Sequence, residues 1–153
     1  HKFGRYSTWY YLQTLKDCVG VNVLPDNLKL SDYKVRIVSS EKGTGPGLGS
    51  TMNLPMAAGT SMALYRQDFD SIIGSIAEEF SPQLVLISAG FDAHQSDPLA
   101  AMNFLEEDFE ELTSKVRALA DSHCQGRIVS IMEGGYNLRA LSRSVKAHLR
   151  ALL

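Results

Sequence analysis

Two short stretches concentrate the residues able to do chemistry. SAGFDAHQSDPLA carries Asp92, His94 and Asp97, and EGGYN carries Glu133, Gly134, Gly135 and Tyr136. Asp92-Ala93-His94 has the look of an Asp-x-His metal clip, as does Asp121-Ser122-His123. One carboxylate and one imidazole do not complete a tetrahedral zinc site, which takes three protein ligands plus water. Asp92 also admits a structural reading, as a cap of the next helix or the acceptor in a turn. Asp97 precedes Pro98 and is expected to start a turn. Asp121 and His123 fall at a helix end beside Gly126, where a solvated histidine is expected. His148 lies in the last apolar periodic stretch and is expected to be half-buried or at the surface. Gly134-Gly135 before Tyr136 implies backbone that must approach something closely. The alternative is a tight strand-to-helix turn with a tyrosine covering the core.

The elements that must position these residues follow from hydrophobic periodicity. Met62, Tyr65, Phe69, Ile72, Ile73, Ile76 and Phe80 recur at three- and four-residue steps, a helix capped by Thr60 or Ser61 and stopped by Pro82. LVLIS at 84–88 is a continuous apolar run between helices, the mark of a central strand in a parallel sheet. Leu105, Phe109, Leu112, Val116 and Leu119 share one face of a second helix, ended near Gly126. Ile128–Met132 reads as another buried strand. Asn137 then caps a last helix with Leu138, Leu141, Val145, Leu149 and Leu152 inward. Helix, strand, helix, strand, helix is an α/β pattern with right-handed crossovers. In such sheets function collects in the loops beyond the carboxyl ends of the strands, where both chemical stretches fall.

The remainder is less legible. Residues 5–42 run from RYSTWYYL into VGVNVLPDNLKLSDY, with a turn at Pro25, Asp26 and Asn27 and a short strand at Val35–Val38. EKGTGPGLGSTMNLPMAAGT is dense in Gly and Pro and reads as loop. Gly45 and Gly47 fit the first two positions of a dinucleotide fingerprint. Ser50 stands at the third, however, and Asn53-Leu54-Pro55 does not open a helix, so that reading is rejected.

Length and composition bound the function. The 153 residues fit one domain, with 44% hydrophobic and 21% charged residues typical of a globular chain. A net charge of -2 supplies no basic field for direct nucleic-acid binding. No apolar run reaches the ~20 residues of a membrane span. Cys18 and Cys124 form no CxxC, which suits a reducing compartment. The chain opens on His1 and is expected to be a piece of something longer.

SAGFDAHQSDPL followed by EGGYNL resembles the paired signatures of the histone deacetylase and acetylpolyamine amidohydrolase family, above all its class II branch. The separation of Asp92 from Tyr136 suits the one helix and one strand that join the two motifs. GPGLGSTMNLPMAAGT resembles the family's glycine-rich loop and Asn-x-Pro-Leu segment, with Met56 in place of the leucine. His1-Lys2-Phe3-Gly4 resembles an upstream His-Lys/Arg-aromatic-Gly segment. The resemblance covers 43–153 strongly, 1–4 weakly, and 5–42 not at all.

The resemblance implies the arginase/deacetylase fold, a three-layer parallel sheet with helices on both faces, of which 1–153 is the C-terminal part. Residues 5–42 stand as an insertion or divergent segment. It implies Asp92 as a carboxylate ligand of a catalytic Zn2+ and Tyr136 as the hydroxyl that stabilises the oxyanion. It implies Leu99, Gly134 and Gly135 as walls of an acyl-lysine tunnel. His94, Asp97 and Glu133 support them. The substrate implied is an acetylated protein or a polyamine. The implied partners are the N-terminal half of the domain and corepressor-type proteins, in the nucleus or cytoplasm.

The family's Asp-x-His-His-Gly ligand segment, its general-base His pair and its Pro-Gly-Thr-Gly stretch are not in this sequence. This chain alone is therefore expected to bind zinc poorly, to hydrolyse nothing, and to leave an apolar sheet edge uncovered. Three readings follow: part of an active deacetylase, a non-catalytic interaction or assembly subunit, and an unrelated α/β domain.

Overall fold

A computed structural model describes residues 10–14, 45–47, 54, 56–75 and 80–153. The chain divides into two compact units, His1–Lys16 with Met56–Leu153, and Asp17–Pro55. In the second unit Gly45–Gly47 forms a 3-10 turn, which Gly45 enters at a φ of 57°. The expected strand at Val35–Val38 and Cys18 lie outside the described residues.

The first unit holds the other elements of the described residues: β1 (Tyr10–Thr14), α1 (Met62–Ser75), β2 (Val85–Ala89), α2 (Glu106–Cys124), β3 (Ile128–Met132) and α3 (Leu138–Leu152). The sheet order is β1-β2-β3, so the apolar run expected to be central is central. β2 and β3 are parallel, joined through α2. β1 is antiparallel to β2, from Tyr10 opposite Ala89 to Thr14 opposite Val85. That strand had no counterpart in the periodicity, because YYLQT shows no clean apolar/polar alternation.

α1 begins where expected, but the cap is resolved in favour of Ser61. Its carbonyl accepts from Leu64 and Tyr65 N–H at 3.1 and 3.2 Å, whereas the Thr60 hydroxyl donates back to Ala57 O. The described part of the helix ends at Ser75, and Ile76 lies outside the described residues. At the start of α2, Asp108 accepts the Leu105 N–H at 2.7 Å, satisfying a donor the helix cannot. At its end Gln125 and Gly126 both adopt positive φ, of 56° and 72°, turning the chain into β3.

The core joins one face of the sheet to all three helices. Val85, Ile87 and Ala89 meet Met62 and Phe69 of α1 and Phe109, Leu112 and Val116 of α2, with Leu141, Val145 and Leu152 of α3 packed against them. Each large apolar side chain so buried contributes about 1.5–3 kcal/mol. On the surface, Arg66 binds Glu111 through two 2.7 Å bonds, and Lys115 pairs with Asp70 and Glu111. The Arg66 guanidinium holds the Glu111 carboxyl down to about 2.

The expectations for β3, α3 and His148 need correction. β3 is not buried throughout: Val129 and Ile131 are exposed, because the helices cover only the opposite face among the described residues, and Met132 is exposed at the end of the strand. In α3, Leu138 and Leu149 point out, and Ala140, Ser144, Ala147 and His148 form the buried face. Small side chains let α3 approach α2 closely, which leaves the leucines on the flanks.

His148 is therefore buried, not half-buried or superficial. The Thr113 hydroxyl donates to Phe109 O at 2.6 Å, so it must accept from His148 Nδ1, 2.7 Å away. Nε2 of the neutral ring is then an acceptor and takes the Ser130 hydroxyl at 2.8 Å. Burial lowers the His148 pKa from its ordinary 6.5. Above pH 6.5 the ring is neutral folded and unfolded, and the bonds contribute in full. Below it only the unfolded chain takes up the proton, so stability falls by at most about 1.4 kcal/mol per pH unit until the folded pKa is reached. The unfolding midpoint should drop from pH 6.5 towards 5, and His148→Asn should flatten that slope. An unchanged slope in the variant would refute the assignment.

Candidate active site

β2 and β3 run in parallel register, with Ala89 opposite Met132, so their following loops leave the same end of the sheet. The loops are stitched at once. Glu133 N donates to Ala89 O at 3.0 Å, and Phe91 N donates to Gly134 O at 2.9 Å. Phe91 is buried, with its ring 5.3 Å from that of Phe109 and 5.6 Å from that of His148. A core aromatic thus anchors the residue before Asp92. The Asp92 carboxylate lies against Gly134, where an added Cβ would sit 2.7 Å from Oδ1. Here the absence of a side chain is a spatial requirement, and the close approach implied by the glycine pair is to Asp92 itself.

Asp97 joins the loops a second time. Its Oδ1 accepts the N–H of Leu99 at 2.9 Å and of Ala100 at 3.4 Å, which is the expected turn. Its Oδ2 accepts the N–H of Tyr136 at 2.7 Å. Asn137 caps α3 through its side-chain oxygen, bonded to Arg139 N at 3.2 Å and Ala140 N at 3.1 Å. Its amide nitrogen reaches back to Ser96 O at 2.9 Å. This second use of Asn137 was not foreseen, since a cap residue gives no sign of where its free donors point.

His94 is buried. Its Nδ1 accepts from Ser96 N at 3.0 Å, so the proton of the neutral ring sits on Nε2. Nε2 faces Glu106 Oε2 at 3.4 Å without hydrogen-bond alignment, an electrostatic contact more than a bond. Burial would raise the Glu106 pKa, but the hydrogen bonds from Arg143 and the Glu106 backbone N–H, with the His94 contact beside them, outweigh it and the carboxyl is lowered. His94, Glu106 and Arg143 thus link the loop to the start of α2 and to α3. Ala93 and Gln95 add backbone bonds with Phe104.

Around this frame Tyr136 and Leu99 are each 56% exposed and Leu138 80%, an apolar rim open to solvent. Glu133 is exposed and enters through its backbone. Asp121 is paired with Arg117 and His123 is exposed, in keeping with a helix end. Among the described residues no three His, Cys, Asp or Glu side chains gather to hold a metal ion. Asp92 has the donor chemistry for one ligand position, in a place kept clear by Gly134. No helix of the described residues is long and apolar enough to cross a membrane.

Comparison with known proteins adds the family dimension. The histone deacetylase domain model matches residues 36–152, beginning ahead of the glycine-rich loop and so reaching into the stretch where no resemblance was expected. Histone deacetylase 10, chloroplastic, of Oryza sativa subsp. japonica is 44% identical over 111 residues, 72% of this chain and 25% of the relative. Polyamine deacetylase HDAC10 of Homo sapiens is 41% identical over 112 residues, 72% of this chain and 16% of the relative. The crystal structure of the HDA15 HD domain superposes with a TM-score of 0.71 at 35% identity, over 78% of this chain and 33% of that one. The chain spans about a quarter or less of the length of the curated relatives first matched.

Proposed function

The chain belongs to the histone deacetylase domain family, and from that premise we propose that it supplies one side of a zinc-dependent site hydrolysing an acetyl-amine amide. The observation that supports this most is the stitched pair of loops, which sets the Asp92 carboxylate against Gly134 and clasps Tyr136 two residues later. In this reading Asp92 is a metal ligand and Tyr136 the catalytic hydroxyl. Leu99, Gly134 and Gly135 border the acyl tunnel, with His94, Asp97 and Glu133 in support.

Bound zinc would polarise the acyl carbonyl and lower the pKa of its water to about 7. The Tyr136 hydroxyl donates to the carbonyl oxygen as negative charge builds there. Its exposed position on the rim leaves that hydroxyl accessible to an entering chain. Leu99 and Leu138 offer apolar surface to the methylenes of an extended acyl-lysine or acyl-polyamine. The remaining ligands and the general base belong to an N-terminal half of the domain, and corepressor-type proteins are the further partners of this reading.

The test is metal content and hydrolysis of acetyl-lysine peptide and acetylpolyamine by the protein that carries this chain. One zinc per site and turnover are expected, with both lost in Asp92→Ala. A zinc-free, inactive protein would establish the competing reading, a non-catalytic assembly subunit. The nucleus or cytoplasm is the proposed compartment, and plastid localisation, as the rice relative's name records, would overturn that placement.

A further inference from the structure

We propose that Asp97 is the positioning residue for Tyr136, and that one carboxylate sets the tyrosine and the tunnel residue Leu99 in register. The inference rests on the hydrolase reading above and goes beyond it in assigning how the tyrosine is held. The Tyr136 ring has little packing to place it. Its side chain is 56% exposed, so packing does not fix the ring. It follows Gly134 and Gly135, the latter at a φ of 130°, and glycine backbone has the widest conformational choice. Between the Gly134 carbonyl held by Phe91 N and the Asn137 cap, its own backbone is held by the N–H bond to Asp97 Oδ2 at 2.7 Å. The other oxygen, Oδ1, holds Leu99 N at 2.9 Å and Ala100 N at 3.4 Å. The carboxylate is 8% exposed, which keeps water from competing for these bonds. Asn137 to Ser96 O, 2.9 Å, adds a second rung between the same loops.

A carboxylate is needed because the amide donors lie on both of its oxygens. An asparagine has one acceptor oxygen and turns an NH2 towards the other set. Asp97→Asn should therefore keep the size and release either Tyr136 or Leu99.

The experiment uses the protein that carries this chain, with acetyl-lysine peptide as substrate. Asp97→Asn is expected to lower kcat about 10- to 100-fold through misplacement, with KM and zinc content close to wild type. In a Tyr136→Phe background the same substitution should cost almost nothing more, because the group it positions is gone. Amide hydrogen exchange gives a readout independent of activity: Tyr136 N–H should be protected in the wild type and lose protection in Asp97→Asn. Fully additive losses in the double variant overturn the positioning role, and so does a wild-type Tyr136 amide that exchanges as fast as an open loop. If Asp97→Asn does not fold, that wild-type exchange rate decides alone. Undiminished turnover in Tyr136→Phe sinks the hydrolase reading and the inference with it, whereas additivity on an impaired Tyr136→Phe sinks only the inference.

Discussion

Tyr136→Phe is expected to lower turnover of an acetylated amine by about 100- to 1,000-fold while zinc content and the unfolding midpoint hold. The magnitude is that of losing one preorganised donor to a developing oxyanion. The specificity of the loss follows from the structure. With the ring 56% exposed, removing its hydroxyl leaves packing almost untouched. The clasp to Asp97 uses the backbone N–H, which phenylalanine retains. Because the donor works mainly on the transition state, kcat and kcat/KM should fall together and KM should change little. A drop confined to KM would assign the tyrosine to substrate binding, and wild-type turnover would remove it from the chemistry.

Legibility in the sequence tracked the range of the interaction. α2 and β3 stood out because Phe109, Leu112 and Val116 make a wide apolar stripe and because Gly126 breaks the helix from the strand. In α3, Leu141, Val145 and Leu152 do pack on the core, but Leu138 and Leu149 of the same expected inward set point out. Leu138 and Leu149 outweigh Ala140, Ser144 and Ala147 in any hydrophobicity pattern, although the small residues are the buried ones. His148 went the same way: its burial depends on Thr113 and Ser130, which come from two other elements. The two chemical loops were legible from residue type and from their place after apolar runs. Their stitching was not. Asp97-Pro98 announces a turn, and the turn is there, but nothing local shows that its second oxygen reaches Tyr136.

Gly134 provides the sharpest test of the Asp92 assignment, because it perturbs the carboxylate without altering it. In Gly134→Ala the new Cβ would lie 2.7 Å from Oδ1, 2.9 Å from Cγ and 3.3 Å from Oδ2 of Asp92. Those distances force one side to move. The backbone at 134 is tied by its carbonyl to Phe91 N at 2.9 Å, and Phe91 is part of the core. The Asp92 side chain is the softer partner and should swing away. Zinc affinity should then fall about 10- to 100-fold, the loss typical when the surroundings of a metal ligand are disturbed. The fold should be largely kept. Gly135→Ala is the contrasting control: its Cβ would meet Leu141 Cδ1 at 2.8 Å and Phe91 Cβ at 3.1 Å, and a φ of 130° adds strain of about 1–3 kcal/mol. That variant should lose stability first and metal only as a consequence. Measuring zinc affinity and unfolding midpoint for both variants separates the cases. If Gly134→Ala binds zinc like the wild type, the Asp92 carboxylate is not a ligand, whatever the family resemblance suggests.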